Sequence, residues 1–326
     1  MLCAASQPAD RILGKYVLVI LRWPSRRSEI MKVSGIGARA ALKRILFATD
    51  FSPAAERAGE FLARIAKHSS SRVLILHVLP RQTVLHLPDH GIGAKAVRRD
   101  AEQRLLRATG QLRTEKIQAE TLLSEGLEPT KVILEFAAER GADLIVIGTR
   151  GLGLSGRLLL GSVANQLIHQ AEIPVFTAGP HVKAPRAERR FQRIVCATDF
   201  TEDATAAVEF ALSLTQSNGG HMYLCHVLPK PESGNPVDAQ KLNENFKAKL
   251  QDLIPGMARE WCDPECVVDH GYAVDGILLL ANRVKADLIV LGARRISHWF
   301  DGLRAGIAFE VIRIADSPVL TVRGQS

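Results

Sequence analysis

"KRILFATDFSPAAERA", residues 43–58, recurs later in the chain as "QRIVCATDFTEDATAA", residues 192–207. Three further blocks recur in the same order. They are LHVLP and CHVLP (76–80 and 225–229), ADLIVIG and ADLIVLG (142–148 and 286–292), and IPVFTA and SPVLTV (173–178 and 317–322). Four matched blocks in one order indicate a duplicated domain.

Each copy begins with a short apolar run that is followed by a helix-start signal. Runs such as RILFAT and VLILHVL are rich in β-branched and other apolar residues, which predicts strands buried on both faces. Ser52 and Pro53 then supply a capping hydroxyl and a fixed φ, and Thr201 takes the capping place in the second copy. One face of the helix that follows is predicted to be buried, with Ala58, Phe61, Leu62 and Ile65 on it.

The rest of the first copy continues the alternation of helices and strands. The patterns predict helices over 100–114, 127–141 and 163–172, and strands over 117–126, 143–148 and 174–178. Strands that alternate with helices of this length predict a parallel sheet covered on both faces. Each repeat is therefore predicted to be a doubly wound α/β domain with a five-stranded parallel sheet flanked by helices.

Charge and composition divide the chain further. The stretch GPHVKAPRAERR between the copies has two prolines and clustered charge, which is typical of an exposed linker. We predict a basic N-terminal extension (1–40), a first domain (41–180), a linker (181–190) and a second domain (191–324). The net charge is +8, but residues 1–40 hold seven Lys and Arg against two acidic residues, so the body is nearly neutral. This favours a solvated tail over a nucleic-acid clamp. Met31 is an alternative start.

Cysteine usage and hydropathy bear on where the protein works. The five cysteines are an odd number and most lie in or beside apolar runs, which argues against a disulfide framework and favours a reducing compartment, the cytoplasm. The apolar run from Tyr16 to Leu21 is far shorter than the roughly 20 residues of a membrane helix. We therefore expect no membrane association.

Ligands of doubly wound domains bind beyond the carboxyl ends of the strands, where the strand order reverses. In the first copy Asp50, Val78 and Gly148 end the first, second and fourth predicted strands. Gly148 also opens the run GTRGLGLSGRLLLGS, residues 148–162, in which three glycine signatures overlap.

Two of the three signatures do not fit their position. GLGLSG, residues 151–156, has the dinucleotide spacing, but it follows the fourth strand rather than the first, and the next strand ends without a carboxylate. GRLLLGS, residues 156–162, has the frame of a P-loop, but Ser162 stands where the phosphate-binding lysine belongs.

The third signature is Gly148-x2-Gly151-x9-Gly161-Ser162. Glycines allow backbone amides to approach phosphate oxygens, and a helix that opens at Gly161-Ser162 presents free amides and a positive dipole end to an anion. Together with ATDFS, HVLP and DLIVIG, this spacing resembles the nucleotide-binding branch of the universal stress protein family. The resemblance covers both repeats, from about residue 43 to residue 323.

The resemblance implies a fold, a ligand and a set of binding residues. The fold would be Rossmann-like, of the adenine nucleotide alpha hydrolase type, with the last strands (174–178 and 318–323) joining the repeats as a pseudo-dimer. The ligand would be ATP, with or without Mg²⁺. Asp50 would lie against the ribose or adenine and Val78 against the adenine. The ribose and phosphates would be held by Gly148, Gly151, Gly161, Ser162 and Val163. A homodimer is a further expectation from the family.

The second copy has lost part of this signature. In a gapless alignment Gly151 becomes Arg295, Gly161 becomes Ala305 and Ser162 becomes Gly306, whereas Asp199 and Val227 match the nucleoside half. We predict an asymmetric pair with one binding domain and one degenerate partner.

Other candidate chemistry is weaker. Cys262, Cys266 and His270 suggest a zinc site, but no fourth ligand is evident and a packed strand face is favoured, so we predict no metal site. His77 and His226 hold equivalent strand positions and are interpreted as structural. No catalytic residue is predicted. The leading hypothesis is a stress-response protein regulated by bound nucleotide, and the alternatives are a slow Mg²⁺-dependent ATPase and a nucleotide-independent scaffold.

Overall fold

A computed structural model describes residues 42–81, 92–150, 160–180, 182–185, 190–230, 236–262, 264–293 and 306–324. Within these residues the chain forms ten strands and eight α-helices. The predicted N-terminal extension, Gly151 and half of the predicted linker (181 and 186–189) lie outside them.

The two repeats have the same order of elements. The first consists of β1 (Arg44–Ala48), α1 (Pro53–Ser69), β2 (Arg72–Pro80), α2 (Ile92–Thr114), β3 (Ala119–Gly126), α3 (Pro129–Glu139), β4 (Leu144–Gly148), α4 (Ser162–Gln170) and β5 (Val175–Ala178). The second consists of β6 (Arg193–Ala197), α5 (Glu202–Asn218), β7 (His221–Leu228), α6 (Pro236–Asp252), a 3-10 turn (Gly256–Glu260), β8 (Glu265–His270), α7 (Ala273–Val284), β9 (Leu288–Gly292), α8 (Ile307–Ile314) and β10 (Val319–Val322).

All ten strands form one sheet in the order β3-β2-β1-β4-β5-β10-β9-β6-β7-β8. The pairs within each repeat are parallel, and the strand order reverses between β1 and β4 and again between β6 and β9. Each repeat is therefore the predicted doubly wound domain, and in the first repeat the order reverses at β1, which Asp50 follows.

The repeats are joined by the one antiparallel pair described in the sheet, between β5 and β10. Thr177 faces Val319 in this pair, and its hydroxyl donates to the Val319 carbonyl at 3.0 Å. The hydroxyl of Thr321 in β10 donates to the carbonyl of Val175 in β5 at 3.3 Å. The predicted pairing of the last strands into a pseudo-dimer is thus confirmed.

The core lies on both faces of the sheet because successive strand residues point to opposite sides. In β1, Ile45 and Phe47 pack under α1 and α2, and Leu46 and Ala48 pack under α3 and α4. The second repeat follows the same division, with α5 and α6 on the first face and α7 and α8 on the other.

The predicted start of α1 is confirmed. Ser52 caps the helix, its hydroxyl oxygen accepts from the amide of Ala55 at 3.2 Å, and Pro53 is the first helical residue. Thr201 caps α5 in the same way, with a longer distance of 3.4 Å to the amide of Ala204. The four residues predicted on the inner face of α1, Ala58, Phe61, Leu62 and Ile65, are all buried.

Two details differ from the sequence predictions. Helix α2 begins at Ile92 rather than at residue 100, and its early turns are mostly exposed, so apolar periodicity could not signal them. Val182, in the stretch predicted to be an exposed linker, is only 3% exposed and packs into the core of the α1 face. The backbone amide of the next residue, Lys183, donates to the carbonyl of Asp316 at 3.3 Å.

The cysteines behave as small core residues. Cys196 and Cys225 are fully buried free thiols on opposite faces of the sheet. Burial raises the pKa of Cys225 to about 12. Cys266 packs on the same face of the sheet as Cys262, and His270 bonds to Asn243 instead, with Nε2 and Oδ1 2.7 Å apart.

Among the described residues no three His, Cys, Asp or Glu side chains converge in a way that could hold a metal ion. Nor does that part of the chain contain a helix long and apolar enough to cross a membrane.

Candidate functional site

The candidate site lies at the carboxyl edge of the sheet, between β1 and β4. The segment after β1 and the segment after β4 are held together there, because the buried Ser52 hydroxyl donates to the carbonyl of Arg150 at 2.8 Å. Thr149 anchors the β4 segment: its amide donates to Ala178, and its carbonyl accepts from the amide of Gly161 at 2.8 Å. Thr149, Arg150 and Gly161 are thereby held near the end of β1.

A tight turn positions Asp50. The backbone of Phe51 is left-handed, with φ of 59°, a conformation that is costly for an aromatic residue. Thr49 stabilises it by accepting from the Phe51 amide at 3.0 Å, and Asp50 Oδ1 accepts from the Ser52 amide at 3.0 Å. The half-buried Asp50 carboxylate is thus held at the edge of the sheet.

The same turn recurs in the second repeat, where Phe200 has φ of 63° and its amide donates to Thr198. Sequence reasoning did not find Thr49 and Phe51 as positioning residues. The signal that could have found them was the exact repetition of the letters ATDF in both copies.

His77 supports this turn from β2. Its Nδ1 lies 2.7 Å from the carbonyl oxygen of Thr49, so the ring donates, and its ring centroid lies 4.6 Å from that of Phe51. Burial lowers the pKa of His77, with the hydrogen bond to Thr49 acting in the opposite direction. His226 makes the equivalent 2.7 Å contact with Thr198. Both histidines have the structural role predicted for them.

Gly148 ends β4 where helix α1 passes very close. A Cβ atom at this position would lie 2.5 Å from the carbonyl carbon of Ala54 and nearer still to the amide nitrogen of Ala55. Gly292 in the second repeat is equally constrained, with the amide nitrogen of Ala204 at 2.7 Å. Helix packing alone therefore accounts for a glycine here in both copies, including the copy without the rest of the signature.

Helix α4 begins at the same edge of the sheet as Asp50, and its N-cap residue provides no side-chain cap for the first amides. Gly161 is the N-cap and offers no side chain, and the first bond inside the helix runs from Asn165 to Gly161. The amides of Ser162, Val163 and Ala164 precede that bond and have no partner within the helix. Ser162 is exposed and Val163 is half-buried, so an anion can approach this end of the helix.

Val78 completes the described part of the site. It lies in β2, two residues beyond the last pair with β1, is half-buried, and packs on the face of the sheet that carries α3 and α4. The structure therefore brings Asp50, Val78, Gly148 and the residues 161–163 to one edge. Gly151 lies outside the described residues.

The corresponding edge of the second repeat is built differently. Thr201 donates its hydroxyl to the Asp199 carboxylate at 2.5 Å. Phe246 of α6 stacks on His226 with 4.9 Å between the ring centroids, where the first repeat has no aromatic residue on α2. Helix α8 begins after Gly306, the residue aligned with Ser162.

Comparison with known proteins agrees with the repeat. A family profile described as the universal stress protein family matches residues 41–178 and 190–323. The universal stress protein MJ0531 of Methanocaldococcus jannaschii is 31% identical over 149 residues, covering 45% of this chain and 85% of that protein. A universal stress protein of Mycolicibacterium smegmatis is 23% identical over 292 residues, covering 86% of this chain and 96% of its own length.

The fold is also found among solved structures. A universal stress protein from Archaeoglobus fulgidus superposes with a TM-score of 0.65 at 22% identity, over 86% of this chain and 98% of that one. At that level of identity the likeness establishes the two-repeat α/β architecture alone.

Proposed function

Because the chain belongs to the universal stress protein family, we propose that its first repeat binds an adenine nucleotide, ATP above all, as a regulatory or sensing ligand. The observation that carries the proposal is the uncapped start of α4 beside the Asp50 carboxylate, at the point where the strand order reverses. This arrangement offers an anion site and a hydroxyl acceptor side by side.

Each part of a nucleotide has a matching group at this edge. Phosphate oxygens would accept from the first amides of α4 and from the hydroxyl of Ser162. The Asp50 carboxylate would accept from a ribose hydroxyl, and Val78 would present an apolar surface to the base. Mg²⁺, if it accompanies ATP, would be carried on the phosphates, since Mg²⁺ favours phosphate and water ligands over all-protein sites.

The second repeat is proposed to be the degenerate partner. It has the positioning turn and Asp199, but arginine and alanine replace two glycines of the signature at Arg295 and Ala305. The retained Gly292 does not argue for binding, because its contact with α5 requires glycine for packing.

Titration calorimetry with Mg²⁺-ATP on the full chain tests the proposal. Asp50→Asn keeps the oxygen that accepts from Ser52 but removes the charge, and should weaken binding about tenfold, the value of one charged hydrogen bond. Asp199→Asn in the second repeat is the matched control and should leave affinity unchanged. Absence of binding by the wild type, or equal losses in the two variants, would contradict the proposal.

Location and assembly are two further proposals. We propose a cytoplasmic protein because the deeply buried Cys196 and Cys225 are free thiols. A homodimer of this chain is a further proposal from the family, which light scattering of the purified protein tests directly.

A further inference from the structure

A cavity lies between the two repeats, away from the proposed nucleotide site. Its volume is about 850 Å³, within the range of small-molecule sites. The first repeat contributes Phe61 and Arg64 of α1. The second contributes Arg193 at the start of β6, Lys285 after α7 and Asp287 before β9.

The cavity is strongly basic. The described residues that line it include two acidic side chains, Asp287 and Asp316, against five basic ones. The basic residues are Arg64, Lys183, Arg190, Arg193 and Lys285. A concave surface with an excess of one charge concentrates ligands of the opposite charge.

Arg64 is a cation whose hydrogen-bonding groups are not all satisfied. Its guanidinium carbon lies 4.7 Å from the centroid of the Phe191 ring. Its Nε and Nη2 atoms are covered by protein and make no hydrogen bond to any residue that the structure describes. Burial lowers the pKa of Arg64, which is a sign that its charge is incompletely compensated.

The neighbouring carboxylate does not provide that hydrogen bond. Asp287 is the acidic group that interacts electrostatically with Arg64, but its oxygens accept from backbone amides. Oδ2 accepts from Gln192 at 2.9 Å and Oδ1 from Arg193 at 3.2 Å. Asp287 therefore fixes the start of β6, and no residue that the structure describes is a bidentate acceptor for the Arg64 guanidinium.

The second repeat presents its cations in a fixed arrangement. The Nε atom of Arg193 donates to the carbonyl of Lys285 at 3.0 Å, just after the end of α7. This bond satisfies one of the carbonyls at the negative end of the helix and holds the two basic residues together. The helix end is thus screened by cations where it faces the cavity.

We propose that this cavity binds a small phosphate-bearing anion, held between Arg64 of the first repeat and Arg193 and Lys285 of the second. Guanidinium and ammonium groups attract phosphate oxygens, and a ligand with two or more phosphate charges would compensate the excess of cations. Such a ligand would bridge the two repeats.

Inorganic pyrophosphate is the probe, measured by titration calorimetry on the full chain at low ionic strength, with inorganic phosphate in parallel. Wild-type protein should bind pyrophosphate more tightly than phosphate. Arg64→Gln and, separately, Lys285→Gln should each weaken pyrophosphate binding about tenfold. Arg107→Gln, an equal change of charge on the exposed side of α2, is the control and should bind as the wild type does.

A further variant separates this site from the proposed nucleotide site. Gly161→Val obstructs the start of α4 and should leave pyrophosphate binding unchanged while it weakens ATP binding. Loss of pyrophosphate binding in Gly161→Val with retention in Arg64→Gln and Lys285→Gln would overturn the inference. So would a wild type that does not bind, or a control that loses as much affinity as the cavity variants. Circular dichroism checks that each variant is folded. If Arg64→Gln unfolds, the pyrophosphate affinity of Lys285→Gln, a change at an exposed position, tests the inference alone.

Discussion

Replacing Gly148 by alanine should destabilise the first repeat, although the added side chain is a single methyl group. The methyl carbon would lie 2.5 Å from the Ala54 carbonyl carbon, whereas ordinary contacts of this kind are 3.4–4 Å. Helix α1 would have to move by roughly 1 Å, because the atoms it meets are backbone.

The size of the effect follows from two opposing terms. Overpacking of a tight core typically costs about 1–3 kcal/mol, and we expect the upper end because a helix, rather than a flexible side chain, must give way. Replacing glycine by alanine lowers the conformational entropy of the unfolded chain, which stabilises the folded state by about 0.4–1 kcal/mol where alanine can adopt the native backbone conformation. The free energy of unfolding should therefore fall by about 2 kcal/mol.

Urea unfolding followed by far-ultraviolet circular dichroism measures the change. Gly110→Ala in α2 is the matched control, since a Cβ there meets nothing within 4 Å, and it should raise the free energy of unfolding by about 0.5–1 kcal/mol. Gly292→Ala should behave like Gly148→Ala. If Gly148→Ala unfolds at the same urea concentration as the wild type, or is stabilised like the control, the packing explanation for this glycine is wrong.

Three further predictions concern single side chains. Ser52→Ala should cost about 1–2 kcal/mol in urea unfolding, because the buried hydroxyl both caps α1 and bonds to the loop after β4; Thr201→Ala, with its longer cap bond, should cost less. Cys196 and Cys225 should resist iodoacetamide at pH 8 in the native protein and react with it in urea, because burial raises the pKa of both thiols. Mass spectrometry measures the alkylation, and modification of either thiol in the native protein would contradict the prediction. Because the pKa of His77 is lowered in the folded protein, the unfolded chain binds this proton more readily, and the free energy of unfolding should fall as the pH drops below 6.5. His77→Gln should make this fall smaller in urea titrations at several pH values. The same dependence of the free energy on pH in the variant and the wild type would contradict the prediction.

Much of the architecture was predictable because the signals are local or repeated. The duplication fixed the number of repeats, and the strand and helix patterns gave the doubly wound topology. Ser52-Pro53 located the start of α1 to the residue, since a capping hydroxyl followed by proline leaves little choice of helix start. The pairing of the last strands came from the family resemblance rather than from any pattern in the residues.

The details of the site were less predictable because they depend on the approach of distant segments. The role of Gly148 in packing is visible only once α1 is placed against the end of β4. The left-handed backbone of Phe51 has no signal in its residue type, since aromatic residues normally avoid it. The basic cavity combines Arg64 with Asp287, which are far apart in sequence and belong to different repeats.

The antiparallel junction between β5 and β10 has a consequence for how the two halves of this protein can evolve. In a symmetric homodimer every substitution occurs twice, and the stability of the pair depends on protein concentration. Here both partners are in one chain, so the junction forms at a fixed effective concentration and each side is encoded separately. One repeat can therefore lose a binding loop while the other keeps it. The two repeats stay paired even when their sequences diverge.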